Sequence, residues 1–326
     1  KITGISLEPE SSSSLYEEAS ISNVIDKSII KDIRNFDELN KVVSDSNPDI
    51  IFHMAAQPLV RKSYAVPIET WNTNVIGTLH LLESLKSIKK KCAVILITTD
   101  KVYQNNEWIY GYRETDRLGG KDPYSSSKAA AEIVINSWRE SYCGNLEHQF
   151  SNLGIASVRA GNVIGGGDWA IDRLIPDIVR SKYENKRIII RNPYSKRPWQ
   201  HVLDPLLGYM LLAERIYKED NICNSNLCSA FNIGPNIDSN KSVKDVIEEI
   251  SKYLSLDFVL KQDFENLYES KLLHLNTDKI INYLNWKPVW DFNKAIQITS
   301  NWYKNYYEKD INALKLCEKD IEEFLN

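Results

Sequence analysis

A tyrosine and a lysine four residues apart, in Tyr124-Ser125-Ser126-Ser127-Lys128, carry the most specific chemistry of the chain. With Lys128 in the first turn of a helix, that spacing sets both side chains on one side of it. A phenol has a reference pKa of about 10, too high for a base at neutral pH, and a neighbouring ammonium lowers it. Such a pair can take the proton of a sugar hydroxyl while hydride leaves the same carbon. Thr98-Thr99-Asp100-Lys101 supplies a second group, directly after the apolar run Ala93 to Ile97. Polar residues at the carboxyl end of a strand in an open α/β sheet face the ligand crevice. There Asp100 and Lys101 offer an acid and a base of different type, as an elimination requires. A surface loop with an Asp–Lys salt bridge is the alternative.

The elements that must hold these groups follow from periodicity. Ile2 to Leu7 and Ser28 to Ile30 read as strands, Phe36 to Val43 as an amphipathic helix, and Asp49 to Phe52 as a buried strand after Pro48. Ile68, Trp71, Val75, Leu82 and Leu85 recur at helical spacing and predict one long helix. Ala93 to Ile97 and Ile155 to Val158 complete a strand–helix alternation. That rhythm implies βαβ crossovers, hence an α/β fold with a Rossmann-like parallel sheet and helices on both faces. Residues 1–160 form the expected cofactor-binding domain. Residues 161–326 form mainly a smaller C-terminal α/β substrate lobe, with some segments returning to the first domain. Ser242-Val243-Lys244-Asp245 predicts a capping box, with Asp in place of Glu, opening a helix to about Leu254. Two more helices are expected over Lys294–Tyr307 and Asn312–Leu325.

Cofactor contacts are expected where strands end. In His53-Met54-Ala55-Ala56-Gln57, small side chains at Ala55 and Ala56 let the backbone approach a ligand; His53 itself reads as a packed or hydrogen-bonded residue. Asp32-Ile33-Arg34 is placed to hold an adenine edge, or equally to form a turn with a solvated ion pair. Asn74, polar within an apolar helix, needs partners, and the backbone near the catalytic strands is a suitable one. Thr98 closes the same rim.

The formal net charge is −4, with both signs mixed along the chain, which argues against nucleic acid as a partner. No run of eighteen apolar residues points to a membrane span. The five cysteines include no Cys-x-x-Cys pair and no nearby His, so neither a disulfide scaffold nor a structural metal is expected, and a cytoplasmic location fits.

Longer motifs carry a family resemblance. His53-Met54-Ala55-Ala56-Gln57-Pro58-Leu59-Val60-Arg61, Thr98-Thr99-Asp100-Lys101-Val102-Tyr103 and Leu118-Gly119-Gly120-Lys121-Asp122-Pro123-Tyr124 are three of them. Arg159-Ala160-Gly161-Asn162-Val163-Ile164-Gly165-Gly166-Gly167-Asp168-Trp169 and Arg197-Pro198-Trp199-Gln200-His201-Val202 are two more. Together they resemble the CDP-glucose 4,6-dehydratases, extended short-chain dehydrogenase/reductases of the NAD-dependent epimerase/dehydratase family. Lys101 is diagnostic within that resemblance, since dTDP-glucose dehydratases have Glu after the Asp. The resemblance implies NAD as cofactor, CDP-glucose as substrate and a homo-oligomer. It also implies roles: Tyr124 and Lys128 for oxidation at C4, Thr99 on the C4 oxygen, Lys101 as base at C5 and Asp100 as acid at C6. Asn162 and Arg197 match positions that bind the nucleotide diphosphate. The family's Gly-rich pyrophosphate turn has no counterpart here, so the resemblance implies a strand and turn ahead of Lys1. A 4-epimerase or decarboxylase, which oxidises C4 without an Asp–Lys pair, and a cofactor-less binding module are the competing readings.

Overall fold

In the computed structural model, residues 1–9, 13–143, 150–261 and 272–326 are described. The first half runs β1 (Thr3–Ser6), α1 (Leu15–Glu18), β2 (Lys27–Ile30), α2 (Phe36–Ser46), β3 (Ile50–His53), α3 (Val60–Ala65) and α4 (Pro67–Trp71). It continues through α5 (Gly77–Ser84), β4 (Cys92–Ile97), α6 (Pro123–Tyr142) and β5 (Leu153–Ala160). The second half runs β6 (Val163–Ile164), α7 (Leu174–Tyr183), β7 (Ile188–Arg191), β8 (Lys196–Pro198), β9 (Gln200–His201), α8 (Leu203–Lys218) and β10 (Ala230–Ile233). It ends with β11 (Asn240–Ser242), α9 (Val243–Ile250), β12 (Phe258–Lys261), α10 (Asp278–Leu284), α11 (Phe292–Lys309) and α12 (Ala313–Leu325).

The main sheet is parallel, in the order β10-β5-β4-β3. Its central strands are apolar on both faces because helices cover both. Val94, Leu96 and Ile155 join Leu81, Leu82 and Leu85 of the α5 segment and Ile135 and Trp138 of α6. Ala93, Ile95, Ala156 and Val158 point the other way, into Leu212 and Ile216 of α8. Strand β10, from the second half, pairs in parallel with β5, so the C-terminal half completes the sheet's edge. A separate parallel ribbon, β1-β2, is tied to the rest through α2, which packs on α5. The remaining lobe builds its core from α7, β7, α9, α11 and α12, with Ile178, Ile188, Ile247, Ile296, Trp302 and Leu316 buried together. The capping box at Ser242 forms as expected, with Asp245 returning the bond to the Ser242 amide. Among the described residues, no helix is long and apolar enough to cross a membrane.

Two expectations fail locally. Strand β3 is not buried: Ile50 and Phe52 are about two-fifths exposed, because β3 pairs only with β4 among the described residues. The long helix from Ile68 is continuous but interrupted by a π-helical turn, Asn72–Ile76, that changes its phase. Ile68 and Trp71 therefore face outward, while Thr70, Asn74, Thr78 and Leu81 face in. The apolar repeat drawn through Ile68 and Trp71 assumed a uniform 3.6-residue period.

Close approach of α8 to the sheet depends on Gly154 in β5, where a Cβ would lie 2.4 Å from Ile216 and 2.5 Å from Ile222. Gly154→Ala is expected to destabilise the protein by about 1–3 kcal/mol through overpacking. Gly234→Ala, whose added carbon would meet its neighbours at 3.7 Å or more, is the control expected to change little. Urea denaturation of both variants measures the difference.

Candidate active site

Tyr124 and Lys128 owe their position to the start of α6. Asp122 caps it, accepting from the Ser125 amide (2.9 Å) and Oγ (2.6 Å), while Ser125 Oγ receives the Asp122 amide. Pro123 occupies the first turn, where its missing N–H costs nothing. The helix thus starts earlier than the sequence suggested: Tyr124 is in its first turn and Lys128 in its second. Both are buried, and the Tyr124 hydroxyl hydrogen-bonds Thr99. Lys128 Nζ donates to the Ile97 carbonyl at the end of β4 (3.2 Å).

The electrostatics differ from the sequence expectation. Burial pushes the Tyr124 phenol up to about 12, and it pushes the Lys128 ammonium down to about 8. Desolvation outweighs any help from the ammonium in the ligand-free site.

Where β4 ends, Thr99 caps a short 3-10 turn that holds Asp100 and Lys101. Asp100 is 1% exposed. Its Oδ1 accepts from Thr99 Oγ1 (3.1 Å), whereas Oδ2 is buried with no partner. Burial raises its pKa, against the pull of Lys101, Thr99 and Arg197. A carboxyl shifted this way keeps its proton to higher pH, the direction a proton donor needs. The space for it exists because residue 161 is glycine: a Cβ there would lie 2.0 Å from Asp100 Oδ2.

A cleft of about 440 Å³ opens over these groups. Thr98, Thr99, Asp100, Lys101 and Tyr124 line one wall, and Asn162, Arg173 and Arg197 line another. Asn162 sits in left-handed backbone (φ 44°) with Nδ2 buried and unpartnered, and Arg173 Nε is likewise unpartnered. Asp100 Oδ2, Asn162 Nδ2 and Arg173 Nε, none of them partnered among the described residues, belong to three residues that line one cleft, and they suit a polar anionic ligand. Arg173 and Gly161 were not singled out from the sequence. Arg173 precedes α7 without a capping signature, and Gly161 matters only through what it leaves room for.

The remaining candidates divide into supports and rims. Asn74 staples the loop after β3 to α6: Oδ1 accepts from the Gln57 amide (2.8 Å), and Nδ2 donates to the Gln57 carbonyl (3.1 Å) and Ser127 Oγ (2.9 Å). Its side chain is fully engaged within the protein, so it reaches a cofactor only by shaping the loop. Gln57 is held further by Thr70 and Leu59. Thr98 Oγ1 turns inward to Glu132 (2.5 Å). His53 is buried against Thr78 and kept neutral by burial, which pushes it down to about 3. Ala55 and Ala56 stay half-buried at the rim. Asp32 forms a turn closed by the Arg34 amide and guanidinium (2.5–3.0 Å), and Ile33 packs on Gly77. The ion pair foreseen as the alternative for Asp32 is therefore present. The residues fit a dinucleotide at its nicotinamide end: Lys128 has one acceptor among the described residues, leaving hydrogens for a ribose beside Tyr124.

A family model described as GDP-mannose 4,6 dehydratase matches residues 10–299. CDP-glucose 4,6-dehydratase of Salmonella typhimurium is 42% identical over all of this chain and 89% of that protein. Among solved structures, dTDP-glucose 4,6-dehydratase of Bacillus anthracis in complex with NAD superposes with a TM-score of 0.75 at 24% identity, covering 94% of this chain and 89% of that one. UDP-glucuronic acid 4-epimerase of Bacillus cereus does so at 0.76 and 21%, covering 94% and 91%, so the fold alone does not separate dehydratases from epimerases. The family match across most of the length, with the full-length similarity to the Salmonella enzyme, places this chain in the GDP-mannose 4,6 dehydratase family of nucleotide-sugar dehydratases.

Proposed function

We propose that the protein is an NAD-dependent CDP-glucose 4,6-dehydratase, converting CDP-glucose to CDP-4-keto-6-deoxyglucose and water. The observation that carries the reading is the buried Asp100 carboxyl, whose Oδ2 has no partner among the described residues, beside Lys101 and in one cleft with Tyr124. Similarity to the Salmonella enzyme supports the substrate, and the NAD in the Bacillus anthracis structure supports the cofactor.

A bound NAD supplies the hydride acceptor at C4 and the hydride returned at C6. Tyr124 takes the C4 hydroxyl proton, with Thr99 bonded to the same oxygen and Lys128 stabilising the phenolate. Oxidation at C4 acidifies C5, whose proton Lys101 removes. Asp100, whose hold on its proton burial strengthens, gives that proton to the C6 hydroxyl, which leaves as water. Asn162 and Arg197 hold the diphosphate, joined by Arg173. Exposed Ile68 and Trp71 on α4 and Ile133 on neighbouring α6 support a homo-oligomer.

The test is incubation with NAD and, in turn, CDP-, dTDP-, UDP- and GDP-glucose, with products identified by mass spectrometry. A product lighter by one water from CDP-glucose is expected; an isomer of unchanged mass would instead make the protein an epimerase. Tyr124→Phe is expected to lower turnover by about 10²–10⁴-fold without loss of fold. Lys101→Ala is expected to stop both water loss and solvent-deuterium uptake at C5, and uptake at the parent rate would remove Lys101 as the base. Gly161→Ala should slow water loss strongly by displacing the Asp100 carboxyl, while a melting temperature near the parent's separates that from misfolding.

A further inference from the structure

Tyr124, Lys128 and Glu132 follow one another at four-residue intervals on α6, and all three are buried. Tyr124 lines the cleft; Glu132, one turn beyond Lys128, is outside the lining but bonds Thr98, which belongs to it. Its carboxylate is fixed from three sides. Oε1 accepts from Thr98 Oγ1 (2.5 Å), and Oε2 accepts from Ser157 Oγ (2.9 Å) and Arg159 Nη2 (2.8 Å). Arg159 is clamped in turn, donating to Tyr103 Oη (2.8 Å) and the Glu114 carbonyl (3.0 Å) with its guanidinium over the Tyr103 ring.

We propose that Glu132 is a positioning residue that keeps Lys128 as an ammonium at the catalytic end of α6. The proposal rests on the reading that Tyr124 and Lys128 serve the reaction. Arg159, Thr98 and Ser157 hold the Glu132 carboxyl below its ordinary range despite burial, so it is an anion. Burial works against the Lys128 charge, and Glu132 is the group that opposes it.

The other charged groups on elements packed against α6 are engaged elsewhere or lie towards the cleft. His53 on β3 is neutral. Glu69 on α4 lies 3.9 Å from Arg34, and Glu83 at the end of α5 bonds Lys86 and Trp138. Arg61 on α3 lies 3.9 Å from Asp172, with Lys62 beside it in the helix, while Asp100 and Lys101 lie in the cleft wall. On α6 itself, Arg139 and Glu140 come after Glu132, towards the far end.

The experiment titrates Lys128 directly in protein labelled with [ε-13C]lysine, its resonance being the one lost in Lys128→Met. The parent midpoint is expected near about 8. In Glu132→Gln it is expected to fall by roughly one pH unit or more, because an opposing charge has been removed. The alkaline limb of the kcat–pH profile on CDP-glucose should move to lower pH by the same amount. Losing one partner of a buried pair is harsher than losing both, so Glu132→Gln/Arg159→Met serves if the single variant does not fold, with a downward shift that is smaller because the Arg159 cation goes too. An unchanged midpoint in the folded variant overturns the proposal, as does a fall in kcat with the limb in place, which marks a merely structural role. A parent inactive on every nucleotide-glucose would count against the proposed function, and the titration would still decide the role of Glu132.

Discussion

Two charges without access to water, Glu132 and Arg159, join helix α6 to strand β5 beneath the cleft. A buried pair of this kind needs further hydrogen bonds on its polar atoms, although Arg159 Nε has no partner among the described residues, and breaking it by removing one partner costs about 3–5 kcal/mol. Here Thr98 at the end of β4 and Ser157 on β5 supply the extra hydrogen bonds. Three elements thereby meet at fixed distances: the helix with Tyr124 and Lys128, the strand that ends in Thr99 and Asp100, and the strand that leads into Gly161 and Asn162. The orientation of the reacting groups depends on that junction. Ile97, whose carbonyl receives Lys128, lies next to Thr98 in the same strand end.

Desolvation then does different work on each group. It favours the uncharged form everywhere: it raises Asp100 and Tyr124, lowers Lys128, and keeps His53 neutral. For Asp100 this is the useful direction, since a proton donor must hold its proton. For Lys128 it is the wrong direction, which is why a compensating anion one turn away matters. For Tyr124 too it is the unhelpful direction, since a base must release its own proton first.

Sequence alone reached the outline of the fold and picked out several side chains that share the cleft. Short apolar runs at β4 and β5 were legible because both faces of a central parallel strand are covered, and the Ser242 capping box was legible because it is local. The phase of the helix around Asn74 was not, because a π-helical turn leaves no mark in hydrophobic periodicity. The exposure of β3 was not either, since it depends on which strands pair rather than on composition. Within the site, Thr99, Asp100, Lys101 and Tyr124 meet as expected. Gly161, Arg173 and Glu132 escaped notice for three separate reasons. One acts by an absent side chain, one stands before a helix with no capping pattern, and one is a glutamate whose partners lie more than twenty residues away in sequence.

Thr99 connects the two halves of the chemistry. Its side chain bonds the Tyr124 hydroxyl and, at 3.1 Å, Asp100 Oδ1. Oxidation at C4 draws on α6, whereas removal of water draws on the turn after β4, and these are separate pieces of backbone. The same fold serves a 4-epimerase in Bacillus cereus. Removal of water requires a carboxyl out of water, room for it opposite residue 161, and a base next to it in sequence. In this chain a glycine, a 3-10 turn and a lysine provide those three things. The groups proposed for removal of water thus sit around one strand end, beside the helix that holds the pair proposed for oxidation.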